Sequence, residues 1–151
     1  MRGSGSGTGD SVAAVGGRRV LALDPGRNLG AAWVRFDGTV ERLAILTDAE
    51  LERLALPAGT TVVVGDGTGS AALVERLRTR GAEPVLVDER DTSLRARALY
   101  FRDHPARGLA RLLPPGMRPA PRRIDDYAAL AIALRWLASG AAQALDDTGR
   151  M

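Results

Sequence analysis

The chain has no cysteine, no lysine, a single histidine and very few aromatic residues. Without cysteine there is no disulfide, no thiolate zinc site and no cysteine nucleophile. A reduced, cytoplasmic setting is compatible with that. Aromatic residues make up only 4% of the chain, so Trp33, Trp136, Tyr100 and Phe101 read as core before base-stacking platforms. Tyr100 and Phe101, beside Arg97 and Arg102, are the one plausible stacking pair. No run approaches the roughly 18 apolar residues that span a bilayer, so no membrane partner is expected. Residues 1–17 lack the apolar stretch of a secretory signal and read as a flexible leader.

What is present is the composition of one globular domain. At 151 residues, 45% hydrophobic and 26% charged, the chain is long enough to bury a normal core. The expected domain spans 18–139, with a loose tail over 140–151. All 21 basic residues are arginine; coding bias is the bland explanation. The physical consequence stands either way, because the planar guanidinium grips phosphate oxygens bidentately and stays charged. Charge is also unevenly placed. Between Arg90 and Arg123, nine arginines against Asp91 and Asp103 give +7, within a net charge of +3. A polyanion laid across this segment is one reading; a solvated helix face with a charged loop is the plainer one.

Periodicity and turn signals set out the elements. Residues 19–24 read as a buried strand ended by Pro25-Gly26. Gly30 to Phe36 and Thr39 to Leu46 are two further strands joined by the hairpin signal Asp37-Gly38. Thr47 with Glu50 makes a capping box for a helix ending near Pro57. Thr60 to Val64 is a strand covered on both faces, followed by a helix marked by Leu73, Leu77 and Gly81. Pro84 to Val87 is expected as another buried strand. Thr92 or Ser93 then caps a helix through about Tyr100. From His104 to Arg123 the prolines and glycines predict a long loop with one helical turn near Leu109–Leu113, and loops of that length are uncommon unless functional. Ile124 to Ala138 is the last helix. Three antiparallel strands followed by parallel crossovers describe an α/β fold with a mixed five-stranded sheet and helices on both faces.

Acidic residues close several of these elements. Asp24 ends the first strand, which is central in this topology. Asp66 follows the fourth strand and Glu89 the fifth, and parallel strands bring their C-terminal ends to one edge, where open α/β sheets build sites. Asp125 and Asp126 open the last helix, where plain N-terminal capping would also place acids. Helical spacing puts Asp125 with Ala128, Ala129, Ile132 and Trp136, and Asp126 with Leu130, Ala133 and Leu137. The first set favours Asp125 as the inward carboxylate. Acids meeting from separate elements suit a hard divalent cation, which takes oxygen ligands. The Gly-rich loop around Asp66 lacks the lysine and spacing of a P-loop. His104, before Pro105, reads as incidental.

Three segments, Leu21-Ala22-Leu23-Asp24-Pro25-Gly26 with Gly30, Val87-Asp88-Glu89-Arg90-Asp91-Thr92, and Ile124-Asp125-Asp126-Tyr127-Ala128-Ala129, resemble the motifs of the YqgF (RuvX-like) family. The resemblance covers about residues 18–138. It implies an RNase H-like fold, kinship with Holliday junction resolvases and 5′-end trimming of precursor 16S rRNA. It further implies Asp24, Glu89 and Asp125 as metal-binding acids, with Asp66 open as a fourth. The loop Gly65-Asp66-Gly67 and Asp91 depart from the family pattern.

The expected activity is therefore hydrolysis of phosphodiesters, in RNA before DNA, with Mg²⁺ or Mn²⁺ held by those acids. Arg90, Arg95, Arg97, Arg107, Arg111, Arg122 and Arg123 are the expected phosphate contacts, which position a strand without reading its sequence. Alternatives are a junction resolvase acting as a homodimer and a non-catalytic nucleic-acid-binding module. An actin-like ATPase also has Asp-x-Gly after its first strand, but it needs two such domains.

Overall fold

The computed structural model describes residues 18–119, 122–141 and 144–145. Its strands are β1 (Arg19–Asp24), β2 (Leu29–Arg35), β3 (Val40–Leu46), β4 (Thr60–Gly65) and β5 (Val85–Val87). Its helices are α1 (Asp48–Glu52), α2 (Ser70–Thr79), α3 (Thr92–Asp103) and α4 (Asp125–Ala138). The strands form one mixed sheet in the order β3-β2-β1-β4-β5. β2 is antiparallel to both β1 and β3, while β1, β4 and β5 run parallel. The α/β architecture, with helices on both faces, is the one expected.

Side chains of a strand point alternately to the two faces, and β1 uses both. Val20 and Ala22 pack with α3 and α4, whereas Leu21 and Leu23 pack with α1 and α2. All four are fully buried, which explains why a central strand reads as a continuous apolar run. The largest helix, α4, is covered so completely that Ala129, Leu130, Ile132 and Ala133 are inaccessible to solvent. Truncating Leu130 or Ile132 to Ala would cost about 2–5 kcal/mol in such a setting.

Several boundaries differ from expectation, each for a physical reason. The capping box forms at Thr47 and Glu50, but α1 stops at Glu52 and not near Pro57. Arg80 donates to the carbonyls of Leu51 and Leu54, taking the acceptors that further helical turns would need. The fifth strand is not buried: Val85 and Leu86 are exposed and only Val87 is covered. It is an edge strand, and its apolar residues look the same in sequence whether or not a helix covers them.

Neither Thr92 nor Ser93 caps α3. Asp91 occupies the N-cap with φ 63° and makes no side-chain cap bond, while Thr92 is buried in the first turn. The helix also runs past Tyr100 to Asp103. There His104 donates its backbone N–H to the Tyr100 carbonyl (2.8 Å) and stacks its ring on Tyr100, centroids 4.4 Å apart. Tyr100 and Phe101 are buried and belong to the core.

The expected loop after His104 holds two 3-10 turns, Gly108–Leu112 and Pro115–Met117. Arg118 organises it. Its Nε donates to the carbonyls of Ala110 (3.1 Å) and Leu113 (2.8 Å), and its Nη2 to that of Arg111 (3.1 Å). Its guanidinium also lies over the Phe101 ring. In the segment expected as a tail, Ala141 packs on the core and the Leu145 carbonyl accepts from Arg18. The predicted leader, 1–17, and the rest of the tail lie outside the described residues. Among the described residues, no helix is long and apolar enough to cross a membrane.

Candidate active site

Asp24 stands at the C-terminal end of the central strand, on the face covered by α3 and α4. Both of its lateral neighbours are glycine. On β2 its register partner is Gly30. On β4, Leu23 is level with Val64, so the next residue, Gly65, lies beside Asp24. Each glycine leaves space that another element fills.

A Cβ at Gly30 would overlap the backbone carbonyl of Asp125. The missing side chain therefore lets the first turn of α4 settle on the sheet next to Asp24. Gly65 does the same on the other side. Ile132 Cδ1, Glu89 Oε2 and Asp24 Oδ1 lie 2.7, 3.0 and 3.7 Å from the point where a Gly65 Cβ would stand. Gly67 likewise makes room, since a Cβ there would overlap the Glu89 carboxylate. The Gly-rich loop thus receives a carboxylate instead of forming a free anion cradle.

Asp24, Glu89 and Asp125 consequently share one electrostatic neighbourhood. The Asp24 carboxyl is pushed up from 3.8 to about 7, first by burial, then by the charges of Glu89 and Asp125. Among the described residues, no group of three or more His, Cys, Asp or Glu side chains stands ready to hold a metal ion. The three carboxylates converge without forming a finished coordination shell.

The turn carrying Glu89 is held from two sides. Asp66 Oδ1 accepts the Glu89 backbone N–H at 3.1 Å. Arg135, near the end of α4, donates to the Arg90 carbonyl at 2.7 Å and pairs with Asp88 at 3.7 Å. Asp88 sits below the usual carboxylate range, chiefly because it accepts the Arg90 backbone N–H; burial opposes this, and the Arg90 and Arg135 charges add smaller pulls downward. Sequence reading missed Arg135. Its place in the apolar last helix was the available signal, and only the fold shows what it reaches.

Asp125 and Asp126 part company. Asp125 is partly exposed and 3.9 Å from Arg123. Asp126 is buried, bonded to Arg122 at 3.3 and 3.4 Å and to the Tyr127 backbone N–H. Arg122 also lies over the Tyr100 and Tyr127 rings. Tyr127 donates to Asp103 at 3.1 Å, and burial followed by that bond pushes its phenol up to about 12.

A cleft of about 450 Å³ opens here, with Asp24 and Asp125 in its lining together with Ser93, Arg97, Arg122 and Arg123. Glu89 is not in that lining; it reaches Asp24 from the far side, across Gly65. A larger hollow, about 550 Å³, lies on the opposite face beside Trp33. Of its two acids, Glu41 is bonded to Arg19 and Arg35 and Glu50 serves the capping box. The smaller cleft is the better candidate because its carboxylates converge.

The seven expected phosphate contacts fall into two groups. Arg90 pairs with Asp88, Arg122 with Asp126 and Arg123 with Asp125. Arg95, Arg97, Arg107 and Arg111 are exposed. Among the described residues these four make no side-chain hydrogen bond or ion pair.

Fold and site together define a class: an α/β protein with carboxylates gathered at the end of the central strand of a mixed sheet. Comparison with protein-family models finds no match to this chain, and comparison with curated proteins finds none.

Proposed function

We propose that the protein is a divalent-metal-dependent nuclease of RNase H-like fold, hydrolysing phosphodiesters in RNA, with trimming of the 5′ end of precursor 16S rRNA as the expected task. One observation carries the reading. A carboxylate at the centre of the sheet is flanked by glycines that admit Glu89 and the turn of α4 carrying Asp125, and burial, then the charges of those two acids, raises its affinity for a proton. Stability alone offers no reason to gather three acids; a cation between them relieves the repulsion. The strand order and the resemblance of three motifs to the YqgF family support the same reading.

The donor set fits the chemistry of Mg²⁺ or Mn²⁺, being carboxylate oxygen throughout. Asp24, Glu89 and Asp125 would hold the ion, which when bound supplies Lewis-acid polarisation of the phosphate. Asp66 is a positioning residue in this scheme, since its carboxylate holds the Glu89 backbone. Arg123 leaves Asp125 for the substrate's negative charge, an exchange that an exposed pair at 3.9 Å allows at low cost. Arg122, anchored by Asp126 and two rings, keeps the cleft wall in place.

A non-catalytic nucleic-acid-binding module is the second reading, favoured by the absence of a preformed metal group among the described residues. The deciding experiment is cleavage of labelled single-stranded RNA, single-stranded DNA and a four-way junction, each with Mg²⁺, Mn²⁺ or EDTA. Metal-dependent cleavage of RNA that Asp24→Asn abolishes is expected. Binding without cleavage under every condition would leave the module; cleavage of the junction alone would indicate a resolvase.

A further inference from the structure

The cleft beside Asp24 has two chemically different walls. One carries Asp24 and Asp125. The other comes from α3, where Ser93 and Arg97 lie one helical turn apart, four residues being close to one turn. Both line the cleft. Ala96 between them is buried and also lines the cleft, while Ser93 and Arg97 are exposed.

The three arginines of this cleft are not equivalent. Arg122 is committed to Asp126 and to the Tyr100 and Tyr127 rings, and Arg123 pairs with Asp125. Arg97 makes no hydrogen bond, ion pair or ring contact among the described residues. A guanidinium without a partner beside a hydroxyl group can take two oxygens of a tetrahedral anion, the fork matching their spacing. The carboxylates opposite repel a ligand that is anionic on every side. They accept one that turns its electrophilic centre toward them and its charged oxygens away.

We propose that Arg97, assisted by Ser93, forms a phosphate subsite that grips the non-bridging oxygens of the diester whose phosphorus faces Asp24 and Asp125. This rests on the nuclease reading above. It also places the bound strand along α3, and assigns Arg122 and Arg118 to holding the protein together instead of to ligand.

The test is binding of a fluorescently labelled single-stranded RNA in EDTA across a salt series, where no cleavage interferes. Arg97→Gln should weaken binding about tenfold and reduce the slope of log affinity against log salt by about 0.7, the share of one phosphate in a single strand. Arg97→Lys should keep the slope while losing part of the affinity, because a point charge lacks the fork. Ser93→Ala should cost less than Arg97→Gln. Arg102→Gln, on the same helix but paired with Asp103, should change neither quantity. Unchanged melting temperatures would show that the Arg97 variants fold normally.

Equal losses in Arg97→Gln and Arg102→Gln would overturn the subsite in favour of a diffuse charge effect. Full binding by Arg97→Gln, with wild type still cleaving RNA, would overturn the subsite and leave the nuclease reading standing. Wild type that neither binds nor cleaves RNA or DNA would remove both.

Discussion

At the scale of the residue, Asp24 sets the proposed function against stability. Its carboxyl holds a proton to about pH 7 in the folded chain, whereas its ordinary value is 3.8. Over that window the folded state binds more protons than the unfolded state. Stability without metal therefore falls as pH rises from about 4 to about 7 and stays low above it. Asp24→Asn removes the ionisation. In EDTA at pH 8 it is expected to stabilise the fold by about 1–2 kcal/mol, allowing for the partial exposure of the site, or roughly 3–6 °C in Tm. The gain should vanish near pH 4. A melting series showing no pH-dependent difference between the two proteins would mean that burial and the neighbouring charges do not hold a proton on Asp24 as described. Gly67 gives the complementary test. Gly67→Ala puts a methyl group where the Glu89 carboxylate lies, so the proposed metal-dependent cleavage should fall at least tenfold while Tm changes little. Undiminished cleavage by Gly67→Ala would remove Glu89 from the proposed site.

At the scale of the element, the site depends on how closely α4 approaches the sheet. Gly30 permits that approach, because the Asp125 backbone occupies the space of its missing side chain. Gly30→Ala must displace a helix and not merely a flexible side chain, so about 3 kcal/mol of destabilisation is expected, visible as a lower midpoint in urea unfolding. A midpoint equal to wild type would show that α4 lies further out. This dependence also marks what a sequence can disclose. Asp37-Gly38, the Thr47–Glu50 capping box and the apolar run of β1 are local signals, and they foretold three strands, a helix start and the position of Asp24. Glu89 and Asp125 were legible as acids at the ends of elements. The roles of Gly30 and Gly65 were not, because they arise from register between strands distant in the chain. Nor was the partition of arginines: Arg118 and Arg122 differ from Arg97 only in what the fold puts beside them. The cap of α3 was misplaced because Asp91, Thr92 and Ser93 are all cap-forming residues.

At the scale of the whole molecule, the +7 segment from Arg90 to Arg123 is less uniform than its sequence implies. Part of that charge is used internally, against Asp88, Asp103, Asp125 and Asp126 and on the carbonyls of the loop. The field available to a polyanion comes mainly from the arginines that keep no partner among the described residues, and two of these, Arg107 and Arg111, lie beside and in the first 3-10 turn of the loop. Counterion release makes affinity for nucleic acid depend on how many phosphates are neutralised, and not on total charge. Replacing Arg107 and Arg111 together by Gln should lower the salt slope by about 1.4 on single-stranded RNA, close to twice the share of one contact. The loss should be similar for unrelated sequences, since such contacts carry no base information. Arg122→Gln should behave differently. It strips the buried Asp126 of its charged partner and leaves it the Tyr127 backbone N–H, so its main effect should be a lower Tm, with little change in slope after correction for folding. A slope that drops equally for Arg122→Gln and for either loop arginine alone would mean that pairing inside the protein does not withhold an arginine from the ligand. The available charge would then be the full count of the segment.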